Sequence, residues 1–310
     1  MKILKKNLSN KTILIIGDLI LDEYLFGTVE RISPEAPVPI LNVLSTSHKA
    51  GGAANVAINC KNLGCKVKLV GSLGDDQNGN LLEKILKKHN IDCYLDKSPK
   101  FNTIKKTRLI SRSQQIIRID EENKSPTLSE LSKTQFISAL SKTDVVIFSD
   151  YNKGILNGLS NLISITKAHN KISLVDPKGS NPSKFNGTNI LTPNLKEMEA
   201  LIGKWKNEFE LQEKIFQFMK STSIQNVVLT RSSEGITLYE LKNMNVSHFK
   251  NEPSEVYDVT GAGDCVISII AVLTSIDFPI KNACELANKG GGLAVKKFGA
   301  SSLKFEEIFN

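Results

Sequence analysis

The feature that most constrains the fold of this 310-residue chain is an alternation of short apolar runs with helical patterns. Runs such as "VVIF" and "VVL" are continuously apolar, which is typical of strands covered on both faces by helices. The predicted strands span residues 12–16, 66–70, 144–148, 172–175, 189–191, 227–230 and 236–239. The predicted helices span residues 53–63, 79–89, 128–140, 156–169, 208–221, 261–274 and 280–295. This order predicts an α/β fold with a mostly parallel central sheet and helices on both of its faces.

Two stretches interrupt the alternation, residues 19–43 and 102–122, and both have the pattern of strands without helices. Three prolines between residues 34 and 39 exclude a central strand there, because proline cannot donate a ladder hydrogen bond. In the second stretch, alternating apolar residues predict two short strands joined by "SRSQ". We interpret both stretches as one small β-sheet lid inserted into a single domain that spans residues 1–310.

Composition excludes several classes of protein. The net charge is +8, but the lysines are spread along the chain and aromatic residues are only 6%, so the clustered footprint of a nucleic-acid-binding protein is missing. The start, "MKILKKNLSN", lacks the apolar core of a secretory signal, and no apolar run has the length of a membrane span. The five cysteines form no C-x-x-C pair, which favours buried thiols in a reducing compartment. We therefore expect a cytoplasmic protein without nucleic-acid or membrane partners.

Polar residues stand at the ends of four of the apolar runs. These residues are Asp18, Asp150, Asp176 and Thr230. The carboxyl ends of parallel strands meet at one edge of a sheet, and ligands of α/β proteins bind there. The four positions therefore predict a binding site at this edge.

A glycine loop, "DVTGAGD" at residues 258–264, leads directly into an apolar helix. Gly261 and Gly263 remove side chains where the backbone can approach a ligand, and Thr260 or Asp258 is placed to cap the helix. The N-terminus of a helix attracts anions, and Asp264 lies in its first turn. A carboxylate beside an anion site is suited to accept a proton from a hydroxyl that attacks a phosphate. A simple turn before a helix is the alternative. The loop has neither the Gly-Lys-Ser/Thr ending of a Walker A loop nor the spacing of a dinucleotide fingerprint.

A second glycine motif, "AGGAANVAINCKNLG" at residues 50–64, precedes another helix. Gly51 and Gly52 are followed by small residues, which let a ligand lie against the backbone, and Asn55 is placed to bind hydroxyl groups. Close packing of the helix on the sheet explains small residues equally well.

A third motif contains "TPNLKE" and places Asn194 and Glu197 on one helical face. Such an amide and carboxylate could hold Mg²⁺ through water, because this ion keeps much of its hydration. The same spacing is that of a capping box, with Asn194 as the cap. The two roles are compatible.

The segments "GGAANVA", "TPNLKE" and "DVTGAGD", in this order, resemble the ribokinase-like carbohydrate kinases, also called the phosphofructokinase-B family. The resemblance covers essentially the whole chain. The segments "RISPEAPVPIL", "SRSQQIIRID", "FSDYNKG", "VDPKG" and "LTPNLKEMEALIG" are similar to one branch, the heptose 7-phosphate kinases of lipopolysaccharide-core synthesis. Cys265 and Val266 stand where many members have a Ser or Thr and then a Phe. The Val is compatible with the heptose branch, and Cys265 leaves open whether a hydroxyl matters there.

The resemblance implies ATP-dependent phosphorylation of the anomeric hydroxyl of D-glycero-β-D-manno-heptose 7-phosphate, giving the 1,7-bisphosphate. It implies ATP and Mg²⁺ as cofactors and leaves a monovalent cation open. The loop Gly261, Ala262 and Gly263 would stabilise the transferred phosphoryl group, and Asp264 would accept the proton. The helix dipole is expected to lower the pKa of Asp264.

The resemblance also assigns the remaining candidate residues. The sugar-binding candidates are Asp18, Gly51, Gly52, Asn55 and Asp258. Lys178 and Arg118 are candidates for the phosphate that the sugar already carries, with Arg112 as a rival of Arg118. The nucleotide-binding candidates are Asn194, Glu197, Thr230, Arg231 and Gly235. Asn194 and Glu197 are also the candidates for water-mediated contact with Mg²⁺.

Three expectations concern partners and alternatives. The exposed strand edges of the lid favour a homodimer joined lid to lid. Similar heptose kinases are often fused to a nucleotidyltransferase, and no H-x-G-H occurs up to Asn310, so a separate nucleotidyltransferase is expected to act in the pathway. The alternatives are a kinase for another sugar phosphate, such as fructose 1-phosphate or tagatose 6-phosphate, and a non-catalytic sugar or nucleotide sensor on this fold.

Overall fold

A computed structural model describes residues 2–112, 114–122, 127–251, 256–300 and 302–309. Within these residues, the chain forms a nine-stranded sheet and a separate four-stranded sheet. The strands are β1 Thr12–Gly17, β2 Leu19–Ile32, β3 Pro39–Gly52, β4 Lys66–Gly74, β5 Asp92–Ser98, β6 Ile104–Ser111, β7 Gln114–Glu121, β8 Val145–Ser149, β9 Ile172–Asp176, β10 Ile190–Leu191, β11 Asn226–Thr230, β12 Ile236–Glu240 and β13 Asn245–Phe249. Ser113, inside the predicted "SRSQ" junction, lies outside the described residues.

The large sheet has the order β13-β12-β11-β10-β9-β8-β1-β4-β5. From β5 to β11 neighbouring strands run parallel, and only β12 and β13 are antiparallel to their neighbours. Strands β1 and β8 are fully or almost fully buried because they lie in the middle of this sheet. The carboxyl ends of β1, β8 and β9 meet side by side, and this edge carries the candidate site.

Helices cover both faces of the large sheet. They are α1 Lys2–Ser9, α2 Ala53–Asn62, α3 Gln77–Lys88, α4 Glu130–Leu140, α5 Leu159–Ala168, α6 Leu195–Ile202, α7 Glu208–Thr222, α8 Ala262–Thr274, α9 Ile280–Ala294 and α10 Phe305–Phe309. One hydrophobic core lies between the sheet and the helices α2, α3, α8 and α9. The second core lies on the opposite face, under α4, α5, α6 and α7. The predicted α/β architecture is confirmed.

The four-stranded sheet is the predicted lid, with the order β3-β2-β6-β7. The three prolines lie in or next to the connection between β2 and β3, so the predicted break in the strand pattern is confirmed. However, β3 continues past residue 43, where the predicted insertion ends, and reaches Gly52. Its second half, "VLSTSHKAGG", shows no apolar alternation because this part of the lid carries polar side chains on both faces, and the sequence pattern therefore missed it.

The structure also contains elements that the sequence did not predict. The strands β5 and β13 are the two edges of the large sheet, and their polar sequences lack the continuous apolar run of a central strand. The five cysteines are free thiols, four of them buried, as expected. None of the helices in the described residues is both long and apolar enough to cross a membrane.

Candidate active site

Asp18, directly after β1, organises the loop that follows β8. Its carboxylate accepts hydrogen bonds from the backbone N–H groups of Tyr151 (2.9 Å), Lys153 (3.1 Å) and Ile155 (3.4 Å). Burial raises the pKa of Asp18, and these three N–H groups oppose that rise. The carboxylate therefore holds residues 151–155 in one position at the carboxyl edge of the sheet.

The glycine loop opens the helix α8 without a side-chain cap. Gly261 is the N-cap residue, with φ 80°, a left-handed conformation that favours glycine. The expectation that Thr260 or Asp258 caps this helix is wrong. The carboxylate of Asp258 instead accepts the N–H of Thr260 (2.9 Å) and the N–H of Gly299 (3.0 Å). The positive end of the helix thus remains open to an anion.

The glycines of the two motifs have different reasons for lacking a side chain. At Gly263 an added Cβ would have no protein atom within 4 Å, and the residue is exposed with no unusual φ, so the fold itself does not require glycine. At Gly52 φ is 59°, and a Cβ would lie 2.5 Å from the carbonyl oxygen of Asp18. A Cβ at Gly51 would overlap the carboxylate of Asp22. The open space at Gly263 indicates room for a ligand, whereas Gly51 and Gly52 serve close packing.

Asp264 is a buried carboxylate in the first turn of α8, with 5% of its surface exposed. Asn55 of α2 donates a hydrogen bond to its Oδ2 (2.7 Å), and the Tyr151 hydroxyl donates one to its Oδ1 (2.8 Å). Burial raises the pKa of Asp264 to about 6, although both hydrogen bonds act in the opposite direction. The expectation that the helix dipole leaves Asp264 with a lowered pKa is therefore wrong, because loss of hydration dominates.

Further carboxylates line the same edge of the sheet. Asp150 pairs with Lys184, which leaves its side chain with only 1% exposure. The pKa of Asp176 is raised well above its usual value by burial and by the neighbouring carboxylates of Glu197 and Asp264. The acidic groups at this edge thus oppose one another's ionisation, and a cation or a metal–phosphate complex bound there would favour their charged forms.

A cavity of about 680 Å³ opens beside the start of α8. Its polar lining residues are Asn194, Thr230, Ser232, Ser233, Asn251 and Asn288. Its apolar lining includes Ile236, Val256, Val259, Val266 and Val295, and the small residues Gly235, Ala262, Gly263, Gly291 and Gly292 complete the wall. The volume lies within the range of small-molecule sites, and apolar walls with a few amides suit a flat base. Five of the predicted nucleotide and loop residues, Asn194, Thr230, Gly235, Ala262 and Gly263, are therefore brought together.

Arg231 is not among the residues that line this cavity. Its guanidinium makes two hydrogen bonds to the carboxylate of Glu208, of 2.8 and 2.7 Å, and a third to the hydroxyl of Tyr239 (3.2 Å). It lines a different cavity, of about 530 Å³, between α7 and the strands β12 and β13. Arg231 was a nucleotide-binding candidate because it follows Thr230 directly in the sequence. Successive side chains of an extended segment point in opposite directions, so Thr230 lines the first cavity and Arg231 lines the second.

Asn194 and Glu197 form the predicted capping box at the start of α6. The Asn194 side chain accepts the N–H of Glu197 (2.9 Å), and the Glu197 carboxylate accepts the N–H of Asn194 (2.9 Å). Glu197 also pairs with Lys178 at 2.9 Å. In the part of the chain that the structure describes, no group of three or more His, Cys, Asp and Glu is placed to hold a metal ion. These residues fit Mg²⁺ only as an ion that is bound mainly by phosphates and water, which is its common mode beside nucleotides.

The predicted phosphate-binding cations lie on different elements. Arg118, on β7, makes two hydrogen bonds to Asp120, of 2.7 and 2.8 Å, and its side chain remains 47% exposed. Lys178 follows β9 and pairs with Glu197, whose capping partner Asn194 lines the cavity of about 680 Å³. Arg112 is exposed at the end of the β6–β7 hairpin, with φ 48°. Arg118 is opposite Arg108 in the register of β6 and β7, so both arginines share one face of the lid.

Three contributors to the site were missed by sequence reasoning. Arg108 forms a buried ion pair with Asp22 (2.6 Å), beneath the ring of Tyr24. Lys49 donates a hydrogen bond to the carbonyl oxygen of Phe298. Tyr151 contacts Asp264, more than a hundred residues away in sequence. The sequence signals for Tyr151 were its place directly after Asp150, at the end of an apolar run, and its presence in the segment "FSDYNKG", and neither of them pointed to a contact with Asp264.

A mostly parallel sheet with a β-lid, in which a buried carboxylate stands at an open helix N-terminus, has the organisation of a ribokinase-like carbohydrate kinase. Residues 10–307 match the pfkB family of carbohydrate kinases, and the chain belongs to this family. It is a sugar kinase by family and fold.

Similar proteins extend this result. The chain is 40% identical over 312 residues to Bifunctional protein HldE of Psychromonas ingrahamii, covering 100% of this chain and 65% of that protein. It is 40% identical over 309 residues to Bifunctional protein HldE of Vibrio cholerae, covering 99% of this chain and 65% of that protein. The chain thus spans less than two thirds of the length of these relatives.

Solved structures show the same fold. The ribokinase of Arabidopsis thaliana, complexed with ribose and ATP, has a TM-score of 0.78 at 16% identity and covers 96% of this chain and 97% of its own. Phosphofructokinase-2 of Escherichia coli, in complex with substrates and products, has a TM-score of 0.78 at 18% identity with the same coverage. At these identities the likeness establishes the fold alone.

Proposed function

We propose that the chain transfers the γ-phosphoryl group of ATP to the anomeric hydroxyl of D-glycero-β-D-manno-heptose 7-phosphate, giving the 1,7-bisphosphate. The observation that carries a phosphoryl-transfer role is the buried carboxylate of Asp264, held by two donors at the uncapped start of α8. The choice of heptose is supported by the full-length similarity to proteins named HldE and by the lid segments that resemble heptose kinases. The proposal places this chain in the synthesis of ADP-heptose for lipopolysaccharide.

In the proposed mechanism, the anomeric hydroxyl lies between Asp264 and the phosphorus of the γ-phosphoryl group. Asp264 accepts the hydroxyl proton as the sugar oxygen bonds to phosphorus, and the bond from phosphorus to the bridging oxygen of ADP breaks. The open N-terminus of α8 stabilises negative charge on the transferred group. Because the transition state of phosphoryl transfer is loose, the proton can move late, and the orientation of Asp264 matters as much as its basicity.

The nucleotide is proposed to occupy the 680 Å³ cavity, with its base against the valines and its phosphates toward Gly263. Mg²⁺, when bound, neutralises charge on the β- and γ-phosphates. Asn194 and Glu197 of the capping box would contact this ion through water. Asn194 lines the cavity, and the hydrogen bonds of the capping box fix the side chains of Asn194 and Glu197 relative to each other.

The test of this proposal is a comparison of kcat/KM for several acceptors with the same enzyme preparation. The acceptors are heptose 7-phosphate, unphosphorylated heptose, fructose 6-phosphate, fructose 1-phosphate and tagatose 6-phosphate. We expect a clear preference for heptose 7-phosphate. Preference for another sugar phosphate would contradict the heptose assignment and leave the kinase assignment intact, whereas binding without any turnover would favour a sensor.

Recognition of the 7-phosphate is proposed to involve Arg118 and Lys178. Arg118 is better placed to bind a phosphate at the lid, because its exposed guanidinium shares a face with the buried Arg108 and, among the described residues, is bound to Asp120. A guanidinium forms two charge-assisted hydrogen bonds to phosphate, each about twice as strong as a neutral one. Lys178 must exchange its contact with Glu197 to reach the sugar.

We expect Arg118→Ala to lower kcat/KM for heptose 7-phosphate about tenfold or more, because a charge-assisted hydrogen bond contributes roughly 1.5–3 kcal/mol. The KM for ATP should not change. Arg112→Ala is the matched control, since Arg112 is an exposed arginine of the same hairpin. If Arg112→Ala lowers kcat/KM and Arg118→Ala does not, the phosphate contact belongs to Arg112.

A further inference from the structure

The loop after β8 directs one aromatic hydroxyl at the proposed base. The backbone N–H groups of Tyr151, Lys153 and Ile155 all donate hydrogen bonds to the buried carboxylate of Asp18. These three hydrogen bonds fix the backbone of the loop. From this anchored backbone the Tyr151 side chain reaches the Oδ1 atom of Asp264 at 2.8 Å. This hydrogen bond connects the loop after strand β8 to the first turn of helix α8 at the carboxylate of Asp264.

We propose that Tyr151 is a positioning residue, whose hydroxyl donates a hydrogen bond to the carboxylate of Asp264 and orients it toward the sugar. The inference rests on the proposed role of Asp264 as proton acceptor. It assigns to the Tyr151 side chain a function that the sequence motifs alone did not give.

The geometry permits a sugar hydroxyl to bind without loss of the Tyr151 contact. Asn55 occupies Oδ2 and Tyr151 occupies Oδ1, and each carboxylate oxygen has a further lone pair for a third donor. With both donors in place, rotation of the carboxylate would break two hydrogen bonds. The direction of the free lone pairs is therefore set before the sugar arrives, which is the kind of preorganisation that positions reactants for transfer.

The charges around Asp264 explain why a donor is needed there. Burial disfavours a negative charge on Asp264, and the carboxylate of Asp22 in the lid acts in the same direction. Asp176, at the end of β9, is a further acidic neighbour whose own pKa is raised well above its usual value by burial and by nearby carboxylates. Asn55 is the neutral donor from α2, and Cys265 on α8 is a buried thiol with its pKa raised to about 12, so it stays protonated. The pKa of Tyr151 is raised well above its usual value, chiefly by burial and by the charge of Asp264. Tyr151 therefore remains a hydroxyl donor at every pH at which the enzyme works.

The test variant is Tyr151→Phe, which removes the hydroxyl and keeps the ring. We expect kcat to fall about tenfold or more, from the loss of one hydrogen bond to a charged group. The acid limb of the kcat/KM profile should move to higher pH by about one unit, since a donor to the ionised form lowers the pKa of a carboxylate. The KM for ATP should not change. An unshifted acid limb with wild-type kcat would overturn the proposal.

The control is Tyr94→Phe, because Tyr94 also donates to an aspartate, Asp92, at 3.2 Å, but is half-buried on the edge strand β5. This variant should leave the kcat and the pH profile unchanged.

A comparison of Asp264→Asn with the double variant Asp264→Asn/Tyr151→Phe distinguishes a purely structural role of Tyr151 from a role that acts through Asp264. If Tyr151 acts through Asp264, the second substitution causes no further fall in the residual kcat. A further tenfold fall in the double variant would show that Tyr151 acts elsewhere.

A measurement without substrate separates this inference from the proposed function. The titration of the Asp264 carboxyl can be followed by ¹³C NMR in ligand-free protein, with Asp264→Asn used to assign the signal. Tyr151→Phe should raise the midpoint of this titration, whichever sugar is the acceptor. If heptose 7-phosphate is not phosphorylated but the midpoint rises, the substrate proposal fails and the role of Tyr151 stands. An unchanged midpoint contradicts the role of Tyr151.

Discussion

At the scale of single residues, the fold places the charge of Asp264 where hydration is lost and compensates it with two hydrogen bonds. Hydrogen bonds from Asn55 and Tyr151 offset only part of the burial penalty, since the pKa remains raised to about 6. An ionised, partly desolvated carboxylate costs stability but is a stronger base than an exposed one. Two predictions follow from this balance, one for activity and one for stability.

Asp264→Asn is expected to keep the fold and nucleotide binding but to lower kcat on the order of 10²–10⁴-fold, the contribution of a positioned base. In the wild-type enzyme, kcat/KM should fall as the pH drops below about 6, because protonated Asp264 cannot accept the sugar proton. Steady-state kinetics between about pH 5 and pH 9, measured roughly every half pH unit, would give both the fall in kcat of the variant and the acid limb of the wild-type enzyme. Retention of more than about a tenth of wild-type kcat would contradict the role of Asp264.

The same substitution is expected to change the pH dependence of stability. The pKa of Asp264 is higher in the folded protein than its usual value of 3.8, so its contribution to stability is full at low pH and is lost as the pH rises through about 6. Asp264→Asn should therefore gain stability relative to wild type between about pH 4 and pH 6, by roughly 2–3 kcal/mol at most. Urea unfolding of both proteins at several pH values measures the difference. A constant difference across this interval would show that the pKa of Asp264 is not raised.

Gly263→Val should harm catalysis more than stability. The fold has open space at this position, but the added side chain would project toward the cavity beside α8. Loss of one oxyanion-type donor costs roughly 10²–10³ in kcat. Gly158→Val is a matched control, because Gly158 is also a glycine at a helix start with no atom within 4 Å of an added Cβ. Normal melting with near wild-type turnover of Gly263→Val would remove the anion-site interpretation.

At the scale of secondary-structure elements, the loop between β11 and β12, residues 231–235, is held by contacts on the side that faces away from the cavity of about 680 Å³. Ser232 and Ser233 line the nucleotide-sized cavity, while the neighbouring Arg231 is bound to Glu208 on α7 and to Tyr239 on β12. Ser232 has φ 52° and Gly235 has φ 97°, so the turn is bent sharply. Arg231 thus holds the loop in shape through α7, and we propose that it serves the nucleotide indirectly.

Arg231→Ala should raise the KM for ATP several-fold with a smaller effect on kcat, because the loop loses its anchor but the base and the helix α8 are unchanged. Glu208→Gln should cause the same kind of change to a smaller degree, since it weakens the partner of Arg231 and lies outside the nucleotide-sized cavity. Glu234→Gln is the control, as the contact of Glu234 with Arg231 is long, at 3.9 Å. If Arg231 bound the nucleotide directly, Glu208→Gln would have no effect on the KM for ATP.

Local sequence patterns predicted the elements around the site better than the edge strand of the large sheet and the strands of the lid. The capping box at Asn194 and Glu197 follows from spacing alone, and the central strands follow from their apolar runs. Strand β5 and the second half of β3 were missed because edge and lid strands carry polar residues that resemble loops. Contacts such as that of Tyr151 with Asp264 depend on how distant elements meet, and no local pattern contains that information.

At the scale of the whole molecule, the lid has two chemically different faces. Arg108 and Arg118 are opposite each other and share the charged face with Asp22, the residue that Arg108 binds. Leu109 and Ile117 are opposite each other on the other face. Exposed apolar side chains are numerous on the lid, and they include Ile32 (61%), Leu44 (69%) and Ile117 (51%). An exposed apolar surface of this kind commonly marks an interface.

We expect this apolar lid surface to bind a second copy of the chain, giving a homodimer joined lid to lid. In the described part of the chain, β3 and β7 are the outer strands of the lid, and an outer strand favours pairing with another chain. The exposed isoleucines and Leu44 would gain burial in the contact. Light scattering at micromolar concentration should show a dimer for wild type, and Ile117→Lys should shift it to a monomer with a lower kcat/KM, since the lid then loses support over the sugar. Leu131→Lys is the control, because Leu131 is also exposed, at 64%, but lies on the helix α4 and not on a strand of the lid. A wild-type monomer with full activity would show that the apolar surface of the lid serves closure over the substrate and not assembly.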